Sequence, residues 1–205
     1  MAKLDNFHQS PNRRRLASLE GCKYDLEEHL KNMFLAFQEA LIKYNKELAQ
    51  TPPEARARAF EASLLNSKMI ASIQKHFPKN WRFGKYKRFI LRIEGYIVLF
   101  KKLNKFDKPM NIKTKMVSAI NSQTSLSLFN DESFIEDPIL YFGYQKNRLG
   151  NIVDPKLVYI DEDQVKWTIS QNDLPGTDNV NITTSSPVAP TATPTLRETA
   201  KKKSS

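Results

Sequence analysis

The sequence predicts an α+β protein in which an N-terminal antiparallel helix pair packs with a mostly antiparallel five-strand sheet, followed by a disordered C-terminal tail. Three observations carry this. Apolar residues recur in steps of three and four between residues 26 and 77, β-branched and aromatic residues alternate with polar ones after Gly84, and Thr, Ser, Pro, Asn and Asp dominate beyond residue 170. With 205 residues, 40% of them hydrophobic, the chain suits one globular unit with extensions. The expected divisions are a flexible basic arm over 1–17, a helical segment over 18–78, a β-rich segment over 79–170 sharing one core with the helices, and a tail over 171–205.

Residues 1–15 are polar and end in Arg13, Arg14 and Arg15, which read as a mobile basic arm or the approach to the first helix. From about Ser18 to Gln50, Leu26, Leu30, Met33, Phe34, Phe37, Leu41, Tyr44 and Leu48 fall along one helical face, with Gly21 as a candidate interruption. Thr51-Pro-Pro-Glu54 has the pattern of a helix stop followed by a capping box, so a second helix is expected from there to about Lys75, ended by Pro78. A short connection between the two favours an antiparallel pair.

Residues 86–93 and 96–103 flank Glu94-Gly95 and predict a β-hairpin. In its first strand Phe89, Leu91 and Ile93 share one face, and Arg88, Ile90 and Arg92 the other. A charged loop over 104–109 leads to a short helix around residues 114–122. Strands are then expected over 139–144, 156–160 and 164–169, joined by turns at 147–151 and at Asp161-Glu162-Asp163. Beyond residue 170 too little apolar surface remains to offset the entropy of ordering.

Charge is concentrated rather than spread. Lys68 to Lys115 holds fourteen Lys/Arg against Glu94 and Asp107, a net +12 that exceeds the +10 of the whole chain, and eight aromatics are interleaved with them. Such a segment offers phosphates a positive field and bases a stacking surface. The candidate nucleic-acid-binding residues are Trp81, Lys85, Lys87, Arg88, Arg92, Lys101 and Lys102, and Trp81 and Tyr86 are the rings that could stack on bases. The alternatives are a solvated polar face for the cations and a core position for the aromatics. His76 is read either as a proton-transfer group beside the hairpin or as a residue capping a helix end.

No catalytic constellation is visible. His8, His29 and His76 are scattered, and Cys22 is the single cysteine, so neither a metal site nor an intramolecular disulfide is expected, and nothing calls for a cofactor. Glu132, Glu136 and Asp137 read as an acidic loop rather than a magnesium site. The N-terminus lacks an apolar stretch of signal length, and no run approaches the roughly 20 apolar residues of a membrane span, which predicts a cytoplasmic protein with no membrane partner.

The segments 88–103 (RFILRIEGYIVLFKKL), 109–115 (PMNIKTK), 138–144 (PILYFGY) and 165–169 (VKWTI) resemble a group of small uncharacterised bacterial proteins from prophage and toxin–antitoxin neighbourhoods. That resemblance spans about residues 60–170 and implies a role in phage biology or growth control without assigning chemistry. More distantly, Arg88, Arg92, Gly95 and Tyr96 are similar to the Arg-rich Gly-Tyr hairpin of RelE-type messenger-RNA-cleaving toxins, although this chain is about twice as long and carries residues 104–137 between the hairpin and the later strands. The expectation is a basic nucleic-acid-binding protein, with RNA favoured. Metal-independent RNA cleavage would be an extension of that role. The alternatives are a protein-interaction module meeting an acidic partner, as a homo-oligomer or in an antitoxin complex, and a phage structural or assembly protein.

Overall fold

In the computed structural model, which describes residues 13–124 and 136–174, with Lys85 by its backbone alone, Ser18 opens the first helix, α1 (Leu19–Gln50). The Ser18 hydroxyl accepts from the Gly21 amide at 3.1 Å, supplying a partner to one of the donors that a helix start leaves unpaired. Gly21 does not interrupt the helix. A Cβ at that position would stand 2.8 Å from the Ser18 hydroxyl oxygen, so the glycine makes room for the cap.

The expected apolar face of α1 is the buried one, with Leu26, Leu30 and Met33 fully enclosed and Phe34, Phe37, Leu41 and Tyr44 nearly so. The second helix, α2 (Phe60–His76), runs back along it. Glu47 pairs with Lys68 and Glu39 with Lys75, so positions advancing on α2 meet positions receding on α1. Pro78 follows the last turn, as the sequence predicts.

The capping box at Thr51-Pro-Pro-Glu54 does not form, and α2 begins eight residues after Pro52. Thr51 instead closes α1, and residues Pro53–Ala55 make a single 3-10 turn. The reason lies in the orphan carbonyls at the end of α1. Arg56 Nη2 donates to Leu48 O at 2.9 Å and Nε donates to Thr51 O at 3.0 Å, which fixes the connection as a loop folded back on the helix end.

The sheet has six strands, in the order β1 (Trp81–Phe83), β2 (Phe89–Ile93), β3 (Tyr96–Lys102), β4 (Ile139–Lys146), β5 (Ile152–Asp161) and β6 (Gln164–Ser170). All neighbours are antiparallel except β3 and β4, which are parallel and joined by a crossover carrying α3 (Lys115–Asn121). One sheet face packs Leu91, Ile93, Val98, Leu140, Phe142, Leu157 and Ile169 against α1 and α2. The other face packs Ile90, Ile97, Leu99, Tyr141, Val158 and Ile160 against Ile120 of α3. The Tyr141 hydroxyl donates to Asn121 Oδ1 at 2.8 Å, and Asn121 Nδ2 donates to Asp163 Oδ1 at 3.0 Å, so a short polar chain ties α3 to the sheet.

Several boundaries differ from expectation. The first strand is an extra one, β1, only three residues long. Residues 85–87 are a turn rather than the start of a strand, with Tyr86 and Lys87 at φ of 59° and 53°. The strand expected over 156–160 extends back to Ile152, because the register slips between Gly143 and Gln145 of its partner and a bulge accommodates Asp154 and Pro155.

The basic arm expected over 1–17 is a folded segment from residue 13 onward. Arg14 is buried, donating from Nε to Thr124 O at 3.2 Å and from Nη1 to Asp137 O at 2.9 Å, and burial lowers its pKa to about 10. Arg13 pairs with Asp161, Arg15 Nη2 donates to Gly95 O at 3.4 Å, and Trp167 Nε1 donates to Ala17 O at 2.8 Å. The three arginines thus serve backbone carbonyls and the carboxylates of Asp161 and Glu162. The tail is described as far as Leu174, which is buried after a short turn capped by Ser170 and Asp173; the disorder expected beyond it, and Glu132 of the acidic loop, lie outside the described residues. No helix among the described residues is long and apolar enough to cross a membrane.

Candidate nucleic-acid interface

The hairpin's two strands pair only at Leu91 with Val98, Arg92 with Ile97 and Ile93 with Tyr96. Beyond Leu91 and Val98 they part: β2 continues along β1, and β3 continues along β4. A cleft of about 280 Å³ opens in this fork. Phe89 lines it from the start of β2 with Arg88 just before the strand, Leu99, Phe100 and Lys101 from β3, Tyr86 and Lys87 from the turn, and Asn66, Met69 and Ile70 from α2. Three of the expected binding residues, Lys87, Arg88 and Lys101, thus converge on one concavity, and Tyr86, one of the two rings read as able to stack, joins them.

The electrostatics of the cleft are one-sided. Its described lining has three cations and no carboxylate. Burial, reinforced by the charge of Arg88, lowers the pKa of the Lys101 ammonium. Neither the Arg88 nor the Lys101 side chain forms an ion pair or hydrogen bond with another described residue. A partly desolvated cation beside a second cation is unfavourable for the empty protein, and an anion placed between them would relieve it. The Tyr86 ring, 90% exposed, stands at the mouth on a left-handed backbone that a bulky residue rarely adopts.

The remaining expected residues are placed elsewhere. Arg92 lies on the same sheet face but farther along β2, where its Nε donates to Asp137 Oδ2 at 2.7 Å. Trp81 is on the helix-facing side, stacked on Phe89 at 6.1 Å between centroids and edge-on to Phe83, so its ring extends the core. Lys102 follows Lys101 on a strand and therefore points to the opposite face, into a different cleft. The Lys85 side chain is outside the described residues.

His76 is engaged at the end of α2, its Nε2 standing 2.9 Å from Glu39 Oε2, in a cluster where Lys43, Lys75 and His76 surround that carboxylate and hold its pKa down to about 2. It does not line the cleft, which favours the helix-end reading over a proton-transfer role. Cys22 is fully buried, and that burial pushes its thiol up to about 12. Among the described residues no group of three or more His, Cys, Asp or Glu side chains is arranged to hold a metal ion.

The arrangement in the fork can therefore hold an anion and present an aromatic face beside it. Its described side chains include no histidine, carboxylate or cysteine that could act as a general base or nucleophile. No family model, curated protein or solved structure matches the chain.

Proposed function

We propose that the protein binds nucleic acid, RNA in preference to DNA, in the fork between β2 and β3. The observation that carries this reading is the convergence of Lys87, Arg88 and Lys101 on a cleft whose described lining has no carboxylate, with the exposed Tyr86 ring at its mouth. Paired cations hold phosphates by releasing counterions, and a tyrosine ring stacks on any unpaired base. A role in a bacterial or phage growth-control or defence system belongs to the same proposal and rests on the resemblance of residues 60–170. Fluorescence anisotropy of matched RNA, single-stranded DNA and duplex DNA across a salt series tests the reading. Salt-dependent binding that favours RNA supports it, and no binding of any of the three at moderate salt overturns it.

One observation favours a second reading, a protein-interaction module. Tyr24, Leu35 and Ile42 of α1 are exposed, and their spacings of eleven and seven residues are each close to a whole number of turns, so they share one line on the solvent side of the helix. Light scattering of the purified protein distinguishes self-association through this line from a monomer.

A further inference from the structure

The solvent side of α1 carries an apolar line and, beside it, charge that changes sign along the helix. Tyr24, Leu35 and Ile42, which make the line, are 85%, 52% and 68% exposed. In the first third of α1 the exposed charges are Glu20, Asp25, Glu27 and Glu28; in the second half they are Lys43 and Lys46. The carboxylates of that second half are taken up by α2 and its end, since Glu47 pairs with Lys68 and Glu39 is shared among Lys43, Lys75 and His76. Lys46 forms no ion pair with a described residue, and among those residues Glu28 meets Lys31 alone, at 3.8 Å. The exposed face of α1 is thus acidic toward its start and basic toward its end.

A helix turns about 100° per residue, which places each position around α1 relative to Tyr24. Leu35 and Ile42 lie within about 20° of it, Glu28 and Lys46 about 40° to one side, and Asp25 and Lys43 about 100° to the same side. The two acidic positions and the two lysines therefore share one flank of the apolar line. When antiparallel helices face each other across a two-fold axis, each flank meets the same flank of the other copy, at levels reflected through the axis. An axis level with Leu35 and Ala36 brings Asp25 to the level of Lys46 and Glu28 to that of Lys43, because the members of each pair are equally far from it along the helix. Between them Glu39 comes level with Asn32. On the other flank Glu27 falls near Asn45 and Lys31 near Gln38, so no like charges oppose, and Leu35 meets its own copy at the centre. A parallel pairing would instead oppose Glu28 to Glu28 and Lys46 to Lys46.

We propose that α1 docks antiparallel on α1 of a second copy of this chain, about a two-fold axis at Leu35. This rests on the reading of the α1 line as an interaction face and supplies its occupant, orientation and register. Burial of the apolar line favours association, while the flanking pairs, exposed and screened by salt, select the antiparallel orientation more than they add affinity. One helix face buries less than a standard interface, so the dimer belongs to the weak, concentration-dependent class. No α1 residue lines the fork, so the pairing uses none of the side chains assigned to nucleic acid.

Sedimentation velocity of the full chain from about 10 µM to about 1 mM, the range in which a small interface associates, tests the proposal. A dimer that grows with concentration is expected. Leu35→Glu, which opposes two carboxylates at the axis, should raise its Kd about thirtyfold or more, and Ile42→Glu repeats the apolar test at a second position. Glu28→Lys and Lys46→Glu should each raise Kd roughly tenfold at low salt, because each turns two symmetry-related attractions into repulsions, whereas the chain carrying both changes should return to within about threefold of wild type. All four side chains are exposed, and circular dichroism checks that each variant is folded. A dimer lost in Leu35→Glu but indifferent to the charge changes overturns the antiparallel register and leaves α1 standing as an interface. A dimer indifferent to both apolar variants lies elsewhere on the molecule and overturns this proposal together with self-association through α1. A monomer throughout overturns the second copy as the occupant, leaving this face to a different partner and the fork reading untouched.

Discussion

Replacing Lys101 by Met should separate what the fork does for binding from what it does for folding. Met keeps most of the length and all of the apolar stem of lysine, so the packing of the buried methylenes persists while the ammonium is removed. That ammonium is partly desolvated, repelled by Arg88, and unpaired among the described residues, so the folded protein gains from its loss. The lowered pKa gives the same sign. A lysine whose folded pKa lies below its unfolded value opposes folding at neutral pH, and that opposition fades as pH rises through the folded pKa. The urea midpoint of Lys101→Met at pH 7 should therefore equal or exceed that of wild type with an unchanged slope.

RNA binding should move the other way. One phosphate held on a single strand contributes about 0.7 to the slope of log K against log salt, which corresponds to a roughly fourfold loss at 0.15 M, and removal of all three fork cations to about fiftyfold. Anisotropy titrations at four salt concentrations measure both the affinity and the slope. If Lys101→Met lowered stability by more than about 1 kcal/mol, the ammonium would be serving the fold, and the fork would be structural. If stability rose while affinity and slope stayed the same, the fork would not be where the nucleic acid lies.

Two other perturbations test the frame that holds the fork. Gln123 is fully buried, donating from Nε2 to Ile139 O at 2.9 Å and Ile160 O at 2.7 Å and accepting from the Ile139 amide at 2.9 Å; Gln123→Ala orphans that amide, takes a donor from two carbonyls and opens a void. The combined cost is about 3 kcal/mol, or a melting point about 6–12 °C lower, measurable by thermal circular dichroism, and a shift under about 2 °C would refute the knot. Glu39, with its pKa held near 2 by Lys43, Lys75 and His76, contributes stability that is complete above its unfolded value of 4.5 and lost as pH falls toward 2. Glu39→Gln should therefore be less stable than wild type at pH 6, and the gap should close between pH 4.5 and 2; a gap independent of pH in urea titrations would contradict the pairing.

What was legible in the sequence follows from how local its causes are. The face of α1 could be read because each of its apolar positions meets the same core, so periodicity alone identifies burial. The central part of the hairpin was readable for the same reason, with alternation on both strands and Glu94-Gly95 between them. The short strand β1 was not, because three residues carry no period and Trp81 joins the sheet only through its partners on β2. Arg14 reads as part of a basic run, yet its burial depends on carbonyls at 124 and 137, more than a hundred residues away. The site was legible as a segment and illegible as a surface. Counting charge between Lys68 and Lys115 gathers Lys101 and Lys102 together, although consecutive strand positions face opposite sides, and it omits Arg58, which precedes the segment but lines the cleft that Lys102 faces.

The place where the cations gather is set by topology rather than by local sequence. Antiparallel neighbours are joined by tight turns that close the end of the pair, whereas a parallel pair needs a connection that returns to the opposite end, so its carboxyl ends are left without a linking turn. In this sheet β3 and β4 are the parallel pair, and their register sets Lys101 beside Gly143 and Lys102 beside Tyr144. At that end β3 leaves through Leu103, which packs so closely on Gly143 that a Cβ there would stand 2.4 Å from its side chain, while β4 runs on to Lys146 and turns toward β5. Leu103 N still donates to Tyr144 O at 2.8 Å, so β3 stays on β4 to that point, whereas β2 has already parted from β3 on the other side. The parting of β2 from β3 leaves the fork, where Asn66, Met69 and Ile70 of α2 meet it, and Lys102 faces a separate cleft beside the first turns of α2. In open sheets with crossover connections the corresponding crevice at the carboxyl ends of the strands is the usual ligand site. The fork opens at the end of β3 that the crossover leaves without a turn to β4, and its described lining holds three cations and no carboxylate.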